Sequence, residues 1–257
     1  MTEPLRITSK ANPLLMRLRR LAADPAGYRR AGMVWLEGDH LCAAAQLRGV
    51  VVAQAVVCES AWDDAGLRSL AGWAAKVHLL PDALYRSVSA LESPSKLGFV
   101  LELPSVPTID ARAATVVLDR LQDAGNVGSI LRSAAALGVS QVLALRGTAA
   151  LWSPKVLRAG MGAHFALRLA EGLEAASLDT LKVPLLATSS YAGSDLHTTA
   201  LPRPCAWVLG HEGQGVAEEI SARCEMQLRI VQPGGEESMN VAAAAAICLY
   251  ESLRQAQ

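Results

Sequence analysis

Apolar and polar positions along this chain follow the pattern of an α/β protein. Short apolar runs, typical of buried strands, are separated by stretches in which apolar residues recur at helical spacing. Strands that are apolar on both faces need a parallel sheet covered by helices on both sides. The pattern predicts strands at 33–36, 50–58, 76–80, 97–103, 115–118, 141–145, 185–188, 206–209 and 228–231, and helices at 14–21, 39–47, 127–137 and 241–253.

One segment interrupts this alternation. Residues 104–113 contain two prolines and a serine and show little periodicity, which favours a linker. We therefore predict a smaller α/β domain at 1–103 and a larger domain with a parallel sheet at 114–257.

Composition supports a folded protein of 257 residues, since 51% of them are apolar and only 19% are charged. The N-terminus lacks an apolar signal core and no apolar run approaches the length of a membrane span, so we expect a soluble, cytoplasmic protein. The cysteines form no CxxC pair, which favours a reducing compartment and no structural metal. They are Cys42, Cys58, Cys205, Cys224 and Cys248.

Charge is unevenly distributed. The net charge is zero, which argues against attraction of the whole molecule to nucleic acid. Among the first thirty residues, however, seven basic residues face two acidic ones, a balance of +5. A solvated helix face and a phosphate-binding surface both fit this run. The basic residues are Arg6, Lys10, Arg17, Arg19, Arg20, Arg29 and Arg30.

The first of three polar loops leads from the strand at 115–118 into the next helix, a place where parallel sheets bind ligands. Asn126 is a suitable N-cap for this helix and Gly138 a suitable end. Helical spacing predicts a smooth face opposite the apolar one, which suits a sugar-phosphate backbone. Its residues are Gly128, Ser129, Arg132 and Ala136. An ordinary surface arginine on an amphipathic helix fits the same segment.

The second loop, 210–215, follows the strand at 206–209 and reads G-x-x-G-x-G. Glycines at this density leave the backbone open to a ligand. The spacing is neither that of a dinucleotide fold nor that of a phosphate-binding P-loop. A tight connection between a strand and a helix is the alternative reading.

The third loop begins at Ile230, passes a Pro-Gly-Gly turn at 233–235, and enters the alanine-rich final helix. Ser238 and Asn240 stand at the start of that helix, where polar groups serve as caps or as part of a site. Met239 suits the wall of an adenine or methionine pocket, or ordinary core packing.

Together the three loops resemble the signature motifs of the SpoU/TrmH branch of the SPOUT methyltransferases, enzymes that methylate the ribose 2′-hydroxyl of tRNA or rRNA. Residues 158–163 and 35–45 also resemble family segments, the latter from a substrate-binding domain. The matching motif residues are Asn126, Gly128 and Arg132, then Gly210, Glu212, Gly213 and Gly215, and finally Ser238, Met239 and Asn240.

The resemblance implies a C-terminal trefoil knot, an obligate homodimer, an RNA substrate bound by the N-terminal domain, and S-adenosyl-L-methionine as cofactor, with no metal or membrane. It implies a catalytic role for Arg132, because the arginine of this motif is proposed in the family to help remove the proton from the 2′-hydroxyl. A guanidinium does not normally accept a proton, so the alternative role is to orient the ribose phosphate and stabilise the developing alkoxide. The residues implied to assist it are Asn126, Glu212, Ser238 and Asn240. Those implied to hold the cofactor are Thr188, Leu209, Gly210, Gly213, Ile230 and Met239.

The chain departs from the family pattern at a few positions. Ala124 replaces a proline, His211 often is asparagine or another small residue, and Gly160 replaces a serine. Val231 and Gln232 replace the usual residues after the sixth strand, next to the cofactor loop. Two other function classes are alternatives. One is a non-catalytic RNA-binding protein that keeps the fold, and the other is a nicotinamide oxidoreductase, for which the glycine fingerprint is missing.

Overall fold

The computed structural model describes residues 3–89, 91–189, 193–234 and 238–256. The chain divides into two units. The first contains the residues up to Ser105 and a later segment, Trp152–Phe165, whereas the second contains Val106–Leu151 and the residues from Ala166 onward. The sequence pattern did not indicate that Trp152–Phe165 packs with the first unit. The domain limits 1–103 and 114–257 stay a prediction.

Strands and helices alternate through most of the chain. The strands are β1 (Leu5–Arg6), β2 (Met33–Glu37), β3 (Gln54–Cys58), β4 (Lys76–Leu80), β5 (Leu97–Glu102), β6 (Thr115–Leu118), β7 (Gln141–Leu145), β8 (Arg168–Leu173), β9 (Leu185–Ser189), β10 (Ser194–Asp195), β11 (Ala206–Leu209) and β12 (Met226–Arg229). The helices are α1 (Pro13–Ala23), α2 (Gly27–Ala31), α3 (Asp39–Leu47), α4 (Ala65–Ala71), α5 (Asp82–Arg86), α6 (Ala124–Ala136), α7 (Pro154–Gly160), α8 (Glu218–Ser221) and α9 (Val241–Arg254).

The first unit is built on a mixed sheet of order β1-β4-β3-β5-β2, in which β5 runs antiparallel to both its neighbours. Its first helix, α1, is amphipathic: Leu15, Leu18 and Leu21 are buried at intervals of three residues. Helix α7 packs against β2. Gly162, which follows α7, has a positive φ of 87°, and a Cβ there would lie 2.4 Å from Cβ of Ala44. The turn after α7 therefore requires glycine.

The second unit is built on a sheet of order β10-β12-β9-β11-β6-β7-β8, and its strand pairings among the described residues are parallel. Both faces of the sheet are covered. On β11, Ala206 and Val208 join one apolar core, while the alternate residue Trp207 is equally buried on the other face. Helices α6 and α9 pack together, and α9 packs on β11. The predicted α/β class with a parallel sheet is confirmed.

Several predicted strand limits were wrong. The strand predicted at 228–231 is β12, which ends at Arg229 where its partner β9 ends, and Val231 is 48% exposed. The strand predicted at 50–58 begins only at Gln54, because Val51 is 88% exposed after α3. The pattern missed β8, an edge strand whose charged residues break the apolar run.

Candidate active site

A cavity of about 500 Å³ lies at the carboxyl ends of β9, β11 and β12. These strands are neighbours in the sheet, and parallel sheets bind ligands at this edge. Its volume is typical of small-molecule sites, which span roughly 300–1,000 Å³. Four stretches supply most of the lining, namely Ala187–Ser189, Gly210–Val216, residues 227–232 in part, and Ser238–Val241.

The residues predicted to hold a cofactor are divided between this cavity and the core. Leu209 is fully buried in β11 and is not among the lining residues. The Thr188 hydroxyl donates to the backbone oxygen of Val208 at 3.4 Å, so its oxygen lone pairs are left for a ligand. The predicted residues that line the cavity are Thr188, Gly210, Gly213, Ile230 and Met239.

The glycine-rich loop after β11 closes tightly on itself. A Cβ at Gly210 would lie 2.1 Å from the carbonyl carbon of Gly215, so only glycine fits there. The Gly215 N–H donates to the backbone oxygen of His211 at 2.8 Å. His211 Nδ1 accepts from the N–H groups of Gly213 at 3.1 Å and Gln214 at 3.3 Å. The side chain of His211 therefore satisfies two backbone donors, a task that the oxygen of an asparagine can also perform.

Side chains from all three motifs are joined by hydrogen bonds. The Asn126 amide nitrogen donates to Oε1 of Glu212 at 3.3 Å, and its oxygen accepts from Nδ2 of Asn240 at 2.9 Å. Asn240 Oδ1 in turn accepts from the N–H groups of Ala242 and Ala243, at 2.9 and 3.3 Å. We call Glu212, Asn126 and Asn240 the motif network. Asn240 caps α9 and also belongs to this network.

The carboxylate of Glu212 is held ionised by its donors. Partial burial by itself would raise its pKa, but the backbone N–H groups of Glu212, Asp123 and Gln122 and the Asn126 amide together lower the pKa from its ordinary value. The Gln122 and Asp123 donors lie 3.2 and 3.1 Å from the carboxylate oxygens. Glu212 thus fixes the backbone that leads into α6.

The start of α6 corrects one prediction. Asn126 is not the N-cap, because the helix begins earlier, at Ala124, and Asp123 caps it by accepting from the Asn126 N–H at 2.7 Å. Because Asp123 caps the helix, the Asn126 side chain is available for its hydrogen bonds in the motif network. Ala124 occupies the first helical position, where the family's proline is favoured because no backbone donor is needed there. Alanine also suits that position.

Arg132 lies apart from the motif network. It follows Asn126 by six residues on α6, which corresponds to about 9 Å along the helix axis. Its side chain is exposed, does not line the cavity, and makes no hydrogen bond or ion pair to any residue that the structure describes. The predicted smooth face is also incomplete, since Gly128 is buried, whereas Ser129 and Ala136 are exposed.

All three residues of the third motif reach the cavity, including the cap residue Asn240. Ser238 and Met239 line it, as do Ile230 and Gln232 at its front edge. Gly235 of the Pro-Gly-Gly turn, with residues 236 and 237, lies outside the described residues. The departure from the family pattern at Gln232 therefore contributes a polar side chain to the cavity wall.

Sequence reasoning missed some polar side chains beside the cavity. Asp119, directly after β6, is 2% exposed and pairs with Arg120 at 2.8 Å. Ser221 and Gln227 both line the cavity and are joined by a hydrogen bond of 2.8 Å. The sequence did contain one indication of Asp119 and Arg120, because two charged residues directly follow an apolar strand.

Two negative findings apply to the part of the chain that the structure describes. No helix there is long and apolar enough to cross a membrane. No group of three or more His, Cys, Asp or Glu side chains there is placed to hold a metal ion.

Comparison with known proteins identifies the family. Residues 113–250 match the family model described as the SpoU rRNA Methylase family. The chain is 32% identical to an uncharacterized tRNA/rRNA methyltransferase of Synechocystis sp., over 97% of this chain and 93% of that protein. It is 28% identical to the 23S rRNA guanosine 2′-O-methyltransferase RlmP of Bacillus subtilis, over 84% of this chain and 86% of that protein. An AdoMet-bound rRNA methyltransferase structure from Sinorhizobium meliloti superposes with a TM-score of 0.83 at 25% identity, covering 98% of each chain.

The matched region contains all three motifs, the motif network and the residues that line the cavity. The chain therefore belongs to the SpoU rRNA methylase family, in the SpoU/TrmH branch of the SPOUT methyltransferases.

Proposed function

We propose that this protein is an S-adenosyl-L-methionine-dependent RNA methyltransferase that transfers a methyl group to a ribose 2′-hydroxyl of rRNA or tRNA. The observation that carries the proposal is the motif network. Glu212, Asn126 and Asn240 come from separate parts of the chain and meet through hydrogen bonds beside one cavity. Relatives whose names state 2′-O-methylation of 23S rRNA support the reaction type.

The cavity fits the cofactor. Its volume of about 500 Å³ is sufficient for a nucleoside joined to an amino acid. Met239 and Ile230 supply apolar wall, while Thr188 and the glycine loop supply polar groups. A structure of an AdoMet-bound relative superposes over the whole chain. The bound cofactor would supply an electrophilic methyl group.

The residues of the chain divide the remaining work. A guanidinium does not give up its proton near neutral pH, so Arg132 acts as a donor to phosphate and to the alkoxide that develops on the ribose, rather than as a base. The proton of the 2′-hydroxyl would pass to solvent water as the oxygen takes the methyl group. The motif network holds the loop of Glu212 and the start of α6 in position. Ser238 and Asn240 line the cavity beside the motif network, and we assign to them the positioning of the ribose.

The position of Arg132 favours a homodimer. Arg132 does not line the cavity of its own chain. The adjacent helix α9 exposes two large side chains one turn apart, Ile247 at 40% and Tyr250 at 58%. Helices α6 and α9 pack together and present these groups to solvent. Pairing of two copies through this surface would cover them and bring Arg132 of one copy to the cavity of the other.

A mixing experiment tests this arrangement. Arg132→Ala and Asn240→Ala homodimers are each expected to keep about a tenth or less of the wild-type activity, which is below the recovery expected on mixing. If the two residues act from different subunits, a heterodimer of the variants has one intact site, so an equal mixture after subunit exchange regains roughly a quarter of wild-type activity. Absence of recovery in confirmed heterodimers would place Arg132 and Asn240 in the same subunit's site.

We further propose that the first unit binds the RNA through the surface of α1. Arg17 and Arg20 are exposed there, and α1 contains no acidic residue. Arg19 is held over the neighbouring loop by hydrogen bonds to the Lys10 oxygen at 3.0 Å and the Ser87 hydroxyl at 2.9 Å. Replacing Arg17 and Arg20 by glutamate should weaken RNA binding and reduce its salt dependence, while cofactor affinity stays unchanged.

We also propose that the C-terminal part of the chain forms a trefoil knot and that the protein acts in the cytoplasm. Placement of β12 between β10 and β9 supports a threaded C-terminal segment. Mapping 2′-O-methyl groups in total RNA from cells with and without the gene identifies the target nucleotide.

The decisive experiment is methyl transfer by the full chain. Purified protein is incubated with methyl-labelled cofactor and RNA from cells that lack the gene, and the label is expected at one ribose, where it blocks alkaline cleavage. A folded protein that binds RNA but neither binds the cofactor nor transfers the label would instead be the non-catalytic RNA-binding protein.

A further inference from the structure

One ion pair beside the cavity is not explained by the three motifs. Asp119 is almost completely buried, yet it carries a carboxylate directly after β6. Arg120 Nε and Nη2 donate to its two oxygens at 2.8 and 3.1 Å. Hydrogen bonding to Asp119 also raises the pKa of the Arg120 guanidinium. The pair has the two-armed geometry in which arginine binds carboxylates most strongly.

The same two side chains also hold the glycine-rich loop. Arg120 Nη1 donates to the side-chain oxygen of Gln214 at 3.0 Å, and Nη2 donates to the backbone oxygen of Gly215 at 3.3 Å. From the other side, Asp119 Oδ2 accepts from the Ala217 N–H at 2.7 Å. The loop between Gly210 and Ala217 is thus attached to the end of β6 at three points.

The backbone at Arg120 supports a specific role for its side chain. Its φ is 58°, in the left-handed region that glycine and asparagine adopt more readily than arginine. An arginine in this conformation carries a backbone cost that a smaller residue would avoid. The conformation directs the guanidinium back across Asp119 toward Gln214 and Gly215, both of which line the cavity.

We propose that Asp119 and Arg120 form a positioning clamp that sets the width of the cofactor cavity by fixing the loop Gly210–Val216. The proposal rests on the proposed function, because it takes the cavity as the site of S-adenosyl-L-methionine. Arg120 is not proposed to contact the cofactor or the RNA. It acts through Gln214 and Gly215, so loss of the clamp lowers affinity for the cofactor and leaves RNA binding unchanged.

The test replaces Arg120 by asparagine, which suits the left-handed backbone but cannot reach the loop. We expect the Kd and the KM for S-adenosyl-L-methionine to rise on the order of tenfold. The KM for RNA, and kcat at saturating cofactor, should change much less, because Glu212 in the same loop keeps its own hydrogen bonds to Gln122, Asp123 and Asn126. Arg120→Lys, which keeps a charge beside Asp119, should restore part of the affinity. Arg146→Asn is the matched control, since Arg146 pairs with Glu174 on the surface of the same unit.

The outcomes separate the clamp from a general effect on folding. A fall in kcat with unchanged cofactor KM indicates a smaller folded fraction and overturns the proposal, as does an unchanged Kd in a folded variant. If Arg120→Asn does not fold, Arg120→Lys decides: a raised Kd supports the clamp and a wild-type Kd overturns it. Calorimetry on the wild type comes first, because a wild-type protein that does not bind the cofactor overturns the proposed function itself.

Discussion

Two polar side chains on helix α6 differ sharply in their surroundings. Asn126, in the first turn, is bound on both sides by Glu212 and Asn240. Arg132, six residues later on the same helix, is exposed, and its side chain makes no hydrogen bond or ion pair within the described chain. Under the proposed function, the difference separates a side chain that the protein holds in place from one that is free to contact the substrate.

This difference follows from the chemistry of the two side chains. An amide in a hydrogen-bonded network has few donors and acceptors left over, so its function is to hold its neighbours in place. An exposed guanidinium is solvated by water and can exchange that water for phosphate oxygens without breaking contacts inside the protein. Arg132 therefore suits transient binding of a charged group, and Asn126 suits permanent positioning.

Arg132→Ala should give the largest effect. Because the Arg132 side chain makes no hydrogen bond or ion pair with the described residues, the stability of the fold and the cofactor affinity should remain as in the wild type. Methyl transfer should fall by at least on the order of 100-fold, as it does when a donor to a developing oxyanion is lost. Calorimetry, thermal unfolding and label transfer measure the three quantities.

Ser129→Ala is the matched control for Arg132→Ala, because Ser129 lies one turn earlier on the same exposed face of α6. It should behave as wild type in all three measurements. Near-normal transfer by Arg132→Ala would remove Arg132 from the mechanism and with it the contrast between the two side chains.

Asn240→Asp should give an intermediate effect. Aspartate caps a helix as well as asparagine, so the bonds to Ala242 and Ala243 remain, but the donor to Asn126 is lost. Stability should therefore change little, while transfer falls roughly tenfold because the hydrogen bond to Asn126 is worth about 1.4 kcal/mol. Single-turnover kinetics measure the rate of methyl transfer, and thermal unfolding measures the stability.

Asn240→Ala provides the comparison for this prediction. It removes the cap and the link together, and should lower stability by about 1 kcal/mol as well as activity. If Asn240→Asp retains wild-type transfer, the link between Asn240 and Asn126 is structural only, and the motif network does not position the reacting groups.

The contrast along α6 also shows which features of the fold and the site can be predicted from the sequence. The pattern of apolar runs correctly predicted the α/β fold. The three motifs correctly predicted the family and singled out Asn126, Glu212 and Asn240, which the structure brings together. Sequence reasoning failed on the cap of α6, because Asp123 and Asn126 are both good caps three residues apart and the choice depends on where Glu212 binds the backbone. It missed Arg120 because a positive φ in a residue other than glycine leaves no trace in composition. Such features are set by tertiary contacts.

The charge of Glu212 should give the smallest effect, seen as a pH dependence of stability. Its pKa lies below the ordinary 4.5 in the folded chain, because its hydrogen-bond donors favour the ionised form more than burial opposes it. The unfolded chain therefore takes up a proton first as the pH falls. The stabilisation is complete above the unfolded pKa and is lost as the pH falls through the lower, folded pKa.

Thermal unfolding of wild type and Glu212→Gln, compared between about pH 6 and pH 3, measures this contribution. The difference in Tm should be largest at the upper end of the range and shrink toward pH 3. Because Glu212 is exposed to solvent, the difference should be small. Glu225→Gln, which removes a carboxylate with no described hydrogen bond, should show no such trend. A Tm difference that is independent of pH would mean that the shape of Glu212, rather than its charge, holds Asn126 and the start of α6.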